Sequence, residues 1–351
     1  MSKNTTLCGK LLQFIQYFLN KIIVIYTKMN TNFLNIINYV KMSSTWGQSA
    51  WFIIKYIYIN ILDYFNKSSE TTRSAFYSIF TKNTNLKDTF YKWFVGVTDS
   101  NGIFYFYKNK KGIWTFCFKV IQNKNNIQLF YYIKTMLKVG SIYTNKKIIV
   151  EFVIQDKKMI IKHILPIFKK YPLLTSKDFY YKNFCEAILI SEDISISKEK
   201  MNNDITIINQ KFIPNNFVSS AWKDITIYTL KDIISKEWIV GFTEVNSSFY
   251  LIKKGENQIS HIFQIIQKRD KIIVDVISII LPIKVYNKKD YWVCSTTSEN
   301  DVKQIICYFE NTYKGIKSIE YRIWSRSFIK NLSFSQLLII RNKIKNITNY
   351  L

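Results

Sequence analysis

The stretch "WFVGVTDSNGIFYF" (93–106) has a twin, "WIVGFTEVNSSFYL", which begins 145 positions later (238 − 93 = 145). Each reads as the last turns of a helix, a tight turn (Asp99–Gly102 in the first) and an alternating strand. Working outward at the same offset, Trp93 meets Trp238, Gly96 meets Gly241, Thr98 meets Thr243, Phe118 meets Phe263 and Gln122 meets Gln267. Further on, "KDFYYKNF" (177–184) aligns with "KSIEYRIW" (317–324) at an offset of 140 (317 − 177 = 140). Agreement at so many steps marks an internal duplication.

Turn residues and periodicity give both units one element order. In the first, a helix enters the motif and "IFYFYKN" and "WTFCFKVIQ" form a hairpin across "KNKKG" (108–112). A helix over 125–137, a second hairpin across "YTNKK" (143–147) and helices over 157–168 and 176–192 follow. The polar run 191–222 predicts a helix and a linker. In the second unit, "SFYLIKK" and "SHIFQIIQ" join through "KGEN" (254–257). A helix near 269–279, a hairpin around 287–289 and helices over 300–311 and 317–347 complete it.

The expected fold is α+β, with two pseudo-symmetric αββαββα repeats at 86–215 (linker included) and 216–351 after a helical extension over 1–85. Gly96 and Gly241 leave helix backbone bare, so the two motif helices can pack closely side by side. One face of each sheet then packs on helices, and the other faces a partner across a saddle-shaped basic surface.

Composition narrows the partner. The 351 residues carry 50 Lys+Arg against 24 Asp+Glu, a formal charge of +26. With 48% hydrophobic residues the chain can fold, and a foldable chain this basic points to a polyanion, most often nucleic acid. Five cysteines without CxxC spacing argue against a disulfide framework or a zinc site, and Cys117 and Cys294 sit in apolar runs as small core residues. His163 and His261 stand alone and read as packed or surface residues. The apolar stretches 11–40 and 51–65 are interrupted by Asn20, Lys21, Lys28, Asn30, Lys55 and Asp63, so no membrane span is assigned. Neither a secretory signal nor an Arg-rich transit peptide is visible, which suits a protein made inside an organelle.

The segments "FVGVTDSNG" (94–102) and "IVGFTEVNS" (239–247) resemble the nine-residue motif of the LAGLIDADG homing endonucleases and intron maturases, in the fused two-motif form of fungal mitochondrial introns. The resemblance covers about residues 86–351 and implies two sheets gripping nucleic acid, with an acid at the eighth motif step binding divalent metal. Asn101 and Asn246 hold that step here; Asp99 and Glu244, at the sixth, should point elsewhere along the helix. Gln122 and Gln267 match the family's glutamines beside the site, and Lys177 and Lys317 its basic residues. Lys108, Lys110 and Lys111, Lys146 and Lys147, Lys253 and Lys254, Lys268 and Arg269, and Lys119 are the expected phosphate contacts.

The resemblance therefore implies a catalytically inactive RNA-binding protein of the mitochondrial matrix, mitochondrially encoded and needing no metal or other cofactor. Its partner would be a group I intron, as for a maturase, or ribosomal RNA, with residues 1–85 docking onto mitochondrial ribosomal proteins. The alternative is an active intron-homing DNA endonuclease, which would require Mg2+.

Overall fold

The structure, a computed structural model, describes residues 70–144, 148–223, 233–281 and 283–349. Expectations for residues 1–69, the apolar stretches included, lie outside them. The chain divides into two compact units, Met1–Lys82 and Asn83–Leu351, and the duplicated architecture belongs to the second.

Helix α1 (Glu70–Asn101) carries the first motif, and β1 (Gly102–Lys108) starts at the very next residue. The expected turn at Asp99–Gly102 is therefore absent: the helix continues through Asn101. The Thr98 hydroxyl donates to the Phe94 carbonyl within the last turns, and the Asp99 side chain is engaged by a distant loop, so it does not compete for local backbone. The second motif repeats this. Ser235 caps α6 (Lys236–Asn246) by accepting from the Trp238 N–H, and β5 (Ser247–Lys253) follows without a gap.

After β1 come β2 (Trp114–Asn123), α2 (Ile127–Leu137), β3 (Ser141–Thr144), β4 (Ile149–Ile154), α3 (157–170, with a π-helical turn at Ile160–Ile164), α4 (Lys177–Glu192) and α5 (Lys198–Asn209). After β5 come β6 (Ile259–Gln267), α7 (Lys271–Ile280), β7 (Lys284–Lys288), β8 (Tyr291–Thr296), α8 (Glu299–Phe309), α9 (Lys317–Ile329) and α10 (Phe334–Asn349). Each half has one antiparallel four-stranded sheet, ordered β1-β2-β4-β3 and β5-β6-β8-β7. The αββαββα order holds, with further helices closing each half. The single helix expected over 317–347 is two, because Asn331 takes a left-handed conformation (φ 46°) that ends α9. At the start of α10 the Ser333 N–H donates to the Gln336 side chain at 3.0 Å.

Strand alternation places the core. Phe104 and Phe106 face the helices while Tyr105 and Tyr107 face outward, and Phe249 and Leu251 repeat the inward positions in the second sheet. The paired rings Phe104–Phe118 and Phe249–Phe263 lie 5.1 and 5.0 Å apart at equivalent positions. Cys117 and Cys294 are wholly buried, as their apolar contexts predict. His261 is a core residue bonded to the Ser327 hydroxyl at 2.8 Å, and burial lowers its pKa to about 4. No helix among the described residues is long and apolar enough to cross a membrane.

Candidate nucleic-acid interface and helix-end site

Gly96 and Gly241 sit at reciprocal contacts between α1 and α6. A Cβ on Gly96 would strike the Trp238 carbonyl, and one on Gly241 the Trp93 carbonyl. The helix backbones touch there, so the two motif ends and the first residues of β1 and β5 belong to one centre.

At that centre the two asparagines differ in partner. The Asn101 amide donates to the Ile121 carbonyl (3.1 Å), whereas the Asn246 amide donates to the Gln267 side chain (3.2 Å). Gln267 in turn donates to Asp270 at 3.4 Å. Gln122 is half-buried at the equivalent step of β2, in register with Val150. The two lysines match closely. Lys177 donates to the Gly102 carbonyl at 2.7 Å and Lys317 to the Ser247 carbonyl at 2.6 Å, each beside the residue that follows its asparagine. Burial lowers the pKa of Lys177, while Lys317 also forms a buried pair with Glu320 at 2.8 Å.

The sixth-step acids point away from the helix ends. Asp99 accepts from the Leu174 and Thr175 N–H groups, the Thr175 hydroxyl (2.6 Å) and the Trp238 indole (2.8 Å). Glu244 accepts from the Lys314 and Gly315 N–H groups, the latter at 2.7 Å. Both acids are almost fully buried, and burial raises their pKa values to about 6 and about 7. Each fastens the loop before α4 or α9, so it orients the helix that begins with the site lysine. Among the described residues no three His, Cys, Asp or Glu side chains cluster as a metal site. The side chains that end the two helices, Asn101 and Asn246, carry neutral amide oxygens.

Two further residues fix the centre across the halves. Asn126, before α2, accepts from the Ile316 N–H at 3.0 Å, and Asp270, before α7, accepts from the Ser176 N–H at 2.7 Å. Each half thus fastens the start of the other's lysine-bearing helix. Sequence reading missed both: the only signal is an Asn or Asp just after each "IQ" strand end.

The remaining basic residues lie in three settings. Lys110 and Lys111 at the β1–β2 turn, and Lys268 and Arg269 after β6, are exposed; Lys254 is exposed and donates to the Thr297 hydroxyl. Lys108 and Lys253 end their strands on the helix-side parity, over the rings of Trp114 and Phe334. Lys119 faces outward and is paired with Glu151 at 3.3 Å. Lys146 and Lys147 lie outside the described residues.

Comparison with known proteins gives this geometry a family. Residues 94–188 match the LAGLIDADG endonuclease family. The probable intron-encoded endonuclease Cox1-I1b of Schizosaccharomyces pombe is 33% identical over 285 residues, 78% of this chain and 72% of that protein. The uncharacterized mitochondrial protein RF1 of Saccharomyces cerevisiae is 31% identical over 48% of this chain, which spans only 34% of its length. The fold matches I-SmaMI bound to an uncleaved DNA target in the presence of calcium ions, with TM-score 0.61, 23% identity and coverage of 74% of this chain and 97% of that one. It also matches the I-LtrWI LAGLIDADG homing endonuclease bound to target DNA, with TM-score 0.62, 22% identity and coverage of 73% and 98%. Relatives in sequence are thus intron-encoded or mitochondrial proteins of yeasts, and the chain belongs to the LAGLIDADG endonuclease family.

Proposed function

We propose that this protein binds structured RNA in mitochondria without cutting it, as an intron maturase or as a ribosomal-RNA-binding component of the mitochondrial ribosome. The observation that carries the reading is the pair of neutral amides, Asn101 and Asn246, ending the packed motif helices. An amide oxygen can ligate a hard cation but supplies no negative charge, and affinity for such ions depends on charge. Asp99 and Glu244 do not compensate, since their oxygens are held by the loops before α4 and α9. The residues present therefore do not fit a metal site built on two carboxylates. What this chain keeps is the scaffold: paired helices, two sheets, the site lysines and exposed basic turns. Folded RNA is held largely by backbone and shape, which such a scaffold can supply without chemistry.

The second reading is an active DNA endonuclease, and the likeness to the probable intron-encoded endonuclease of Schizosaccharomyces pombe favours it. Incubating the chain with its intron-insertion sequence and Mg2+ or Mn2+ separates the two. We expect no double-strand break; efficient cutting overturns the proposal. Purifying the native protein and sequencing its bound RNA tests the positive half, with one intron RNA or a ribosomal subunit as the expected result.

A further inference from the structure

We infer that the outer face of the first sheet is a stacking floor for unpaired RNA nucleotides. This rests on the RNA-binding reading above and specifies which part of an RNA the first half holds.

The argument starts from which side chains point outward. Phe104, Phe106, Phe118 and Phe152 are buried under the helices, so their neighbours Tyr105, Tyr107, Lys119 and Glu151 occupy the opposite face. Tyr143, in register with Glu151, lies on that face too. The charged residues at its outward positions, Lys119 and Glu151, pair with each other, so the floor itself carries no net charge. Lys119 also sits over the Tyr105 ring (5.3 Å), and Tyr105 is parallel to Tyr107, with centroids 5.9 Å apart and planes within 13°. The series Lys119–Tyr105–Tyr107 is thus supported at one end and open at the other. Tyr107 is 41% exposed and Tyr143 57% exposed.

The second sheet is built differently. Two of its three outward tyrosines are tied into polar pairs, Tyr250 to Gln264 and Tyr286 to Ser295, both at 3.2 Å, and the third, Tyr291, has Lys288 in register. Lys284 and Lys288 on β7 share the outward parity of Tyr286 and add charge without an acid in register.

A nucleic-acid duplex hides its base faces and presents phosphates and hydrogen-bonding edges. The first floor, aromatic and internally neutralised, would desolvate those edges without repaying their hydrogen bonds. Unpaired bases present π-faces instead, and any of the four can stack on an exposed tyrosine. The strand's phosphates then need cations beside the floor. Lys110 and Lys111 supply them, exposed at the turn just beyond Tyr107.

The test measures binding of the full chain to two probes, an oligouridylate of about twelve nucleotides and an RNA duplex of similar length. Replacing Tyr107 and Tyr143 together by Ala should weaken oligouridylate binding about ten-fold or more, leave duplex binding within about two-fold, and leave the salt slope unchanged because no cation is removed. Tyr107→Phe with Tyr143→Phe should retain full affinity. Both side chains are exposed, and circular dichroism checks that the variants fold. Equal loss on both probes, or full affinity with Leu at both positions, overturns the stacking floor. If the unaltered chain binds duplex but not oligouridylate, the floor falls while the RNA reading stands; if it binds neither, both fall.

Discussion

The two halves of this chain share a backbone plan but only part of a polar one. In the first half Asp99 collects backbone, hydroxyl and indole donors, the indole coming from Trp238 of the second half. In the second half Glu244 takes two backbone donors, and the equivalent indole, that of Trp93, has no hydrogen-bond partner among the described residues. Backbone contacts such as Gly96 against Trp238 survive duplication because both sides must agree on shape. Side-chain bonds are free to become one-sided.

The helix contact should show the largest and most even effect. Gly96→Ala and Gly241→Ala each drive a methyl into a carbonyl of the opposite helix, and each should cost about 3 kcal/mol or more in urea unfolding. A tolerated change on one side only would mean that the contact is not reciprocal. Next comes the indole asymmetry. Trp238→Phe and Trp93→Phe remove similar volume, but only the first leaves Asp99 short of a donor. The difference between them should be about 1–2 kcal/mol by thermal or chemical unfolding, with Trp238 the more sensitive.

The pH response sharpens the comparison further. The pKa values of Asp99 and Glu244 rise on folding from 3.8 and 4.5 to about 6 and about 7, so folding favours their protonated forms. Their contribution is complete below the ordinary carboxylate range and is lost as pH rises through 6 and 7. His261 works in the opposite sense and only in the second half. Its folded pKa of about 4 lies below 6.5, so its contribution is present above 6.5 and is lost as pH falls toward 4. Urea midpoints across this range should lose the Asp99 slope in Asp99→Asn and the Glu244 slope in Glu244→Gln. A profile unchanged in both variants would show that neither acid titrates there.

The smallest effect concerns helix ends. Helix α2 stops at Lys138 with φ 60°, while α7 stops at Leu281 with φ −104°. Lys138→Gly should stabilise by about 0.5–1 kcal/mol, because only at Lys138 does a left-handed backbone favour glycine. A thermal melt checks the sign.

Much of this was legible in the sequence. The offset of 145 fixed the duplication, strand alternation separated Phe104 from Tyr105, and Lys177 and Lys317 stand at matched helix starts. What escaped was long-range polar pairing. Nothing in the local pattern says that Asp99 fastens a loop 75 residues away, so a turn was expected where the helix in fact continues. Helix α10 was hidden for a simpler reason: left-handed Asn331 and the Ser333–Gln336 bond interrupt a run whose composition is helical on both sides. Asn126 and Asp270 act across the halves, where periodicity carries no information.

Those two crossed fastenings have a consequence for inheritance. A repeat that closed its own helix starts could be lost, exchanged or copied alone. Here Asn126 completes Ile316 and Asp270 completes Ser176, so a gene fragment encoding one half leaves unfinished the part of that half that carries its lysine. The duplication has ceased to provide a spare. Each repeat is now part of the other's environment, and a substitution in either is selected for its effect on both.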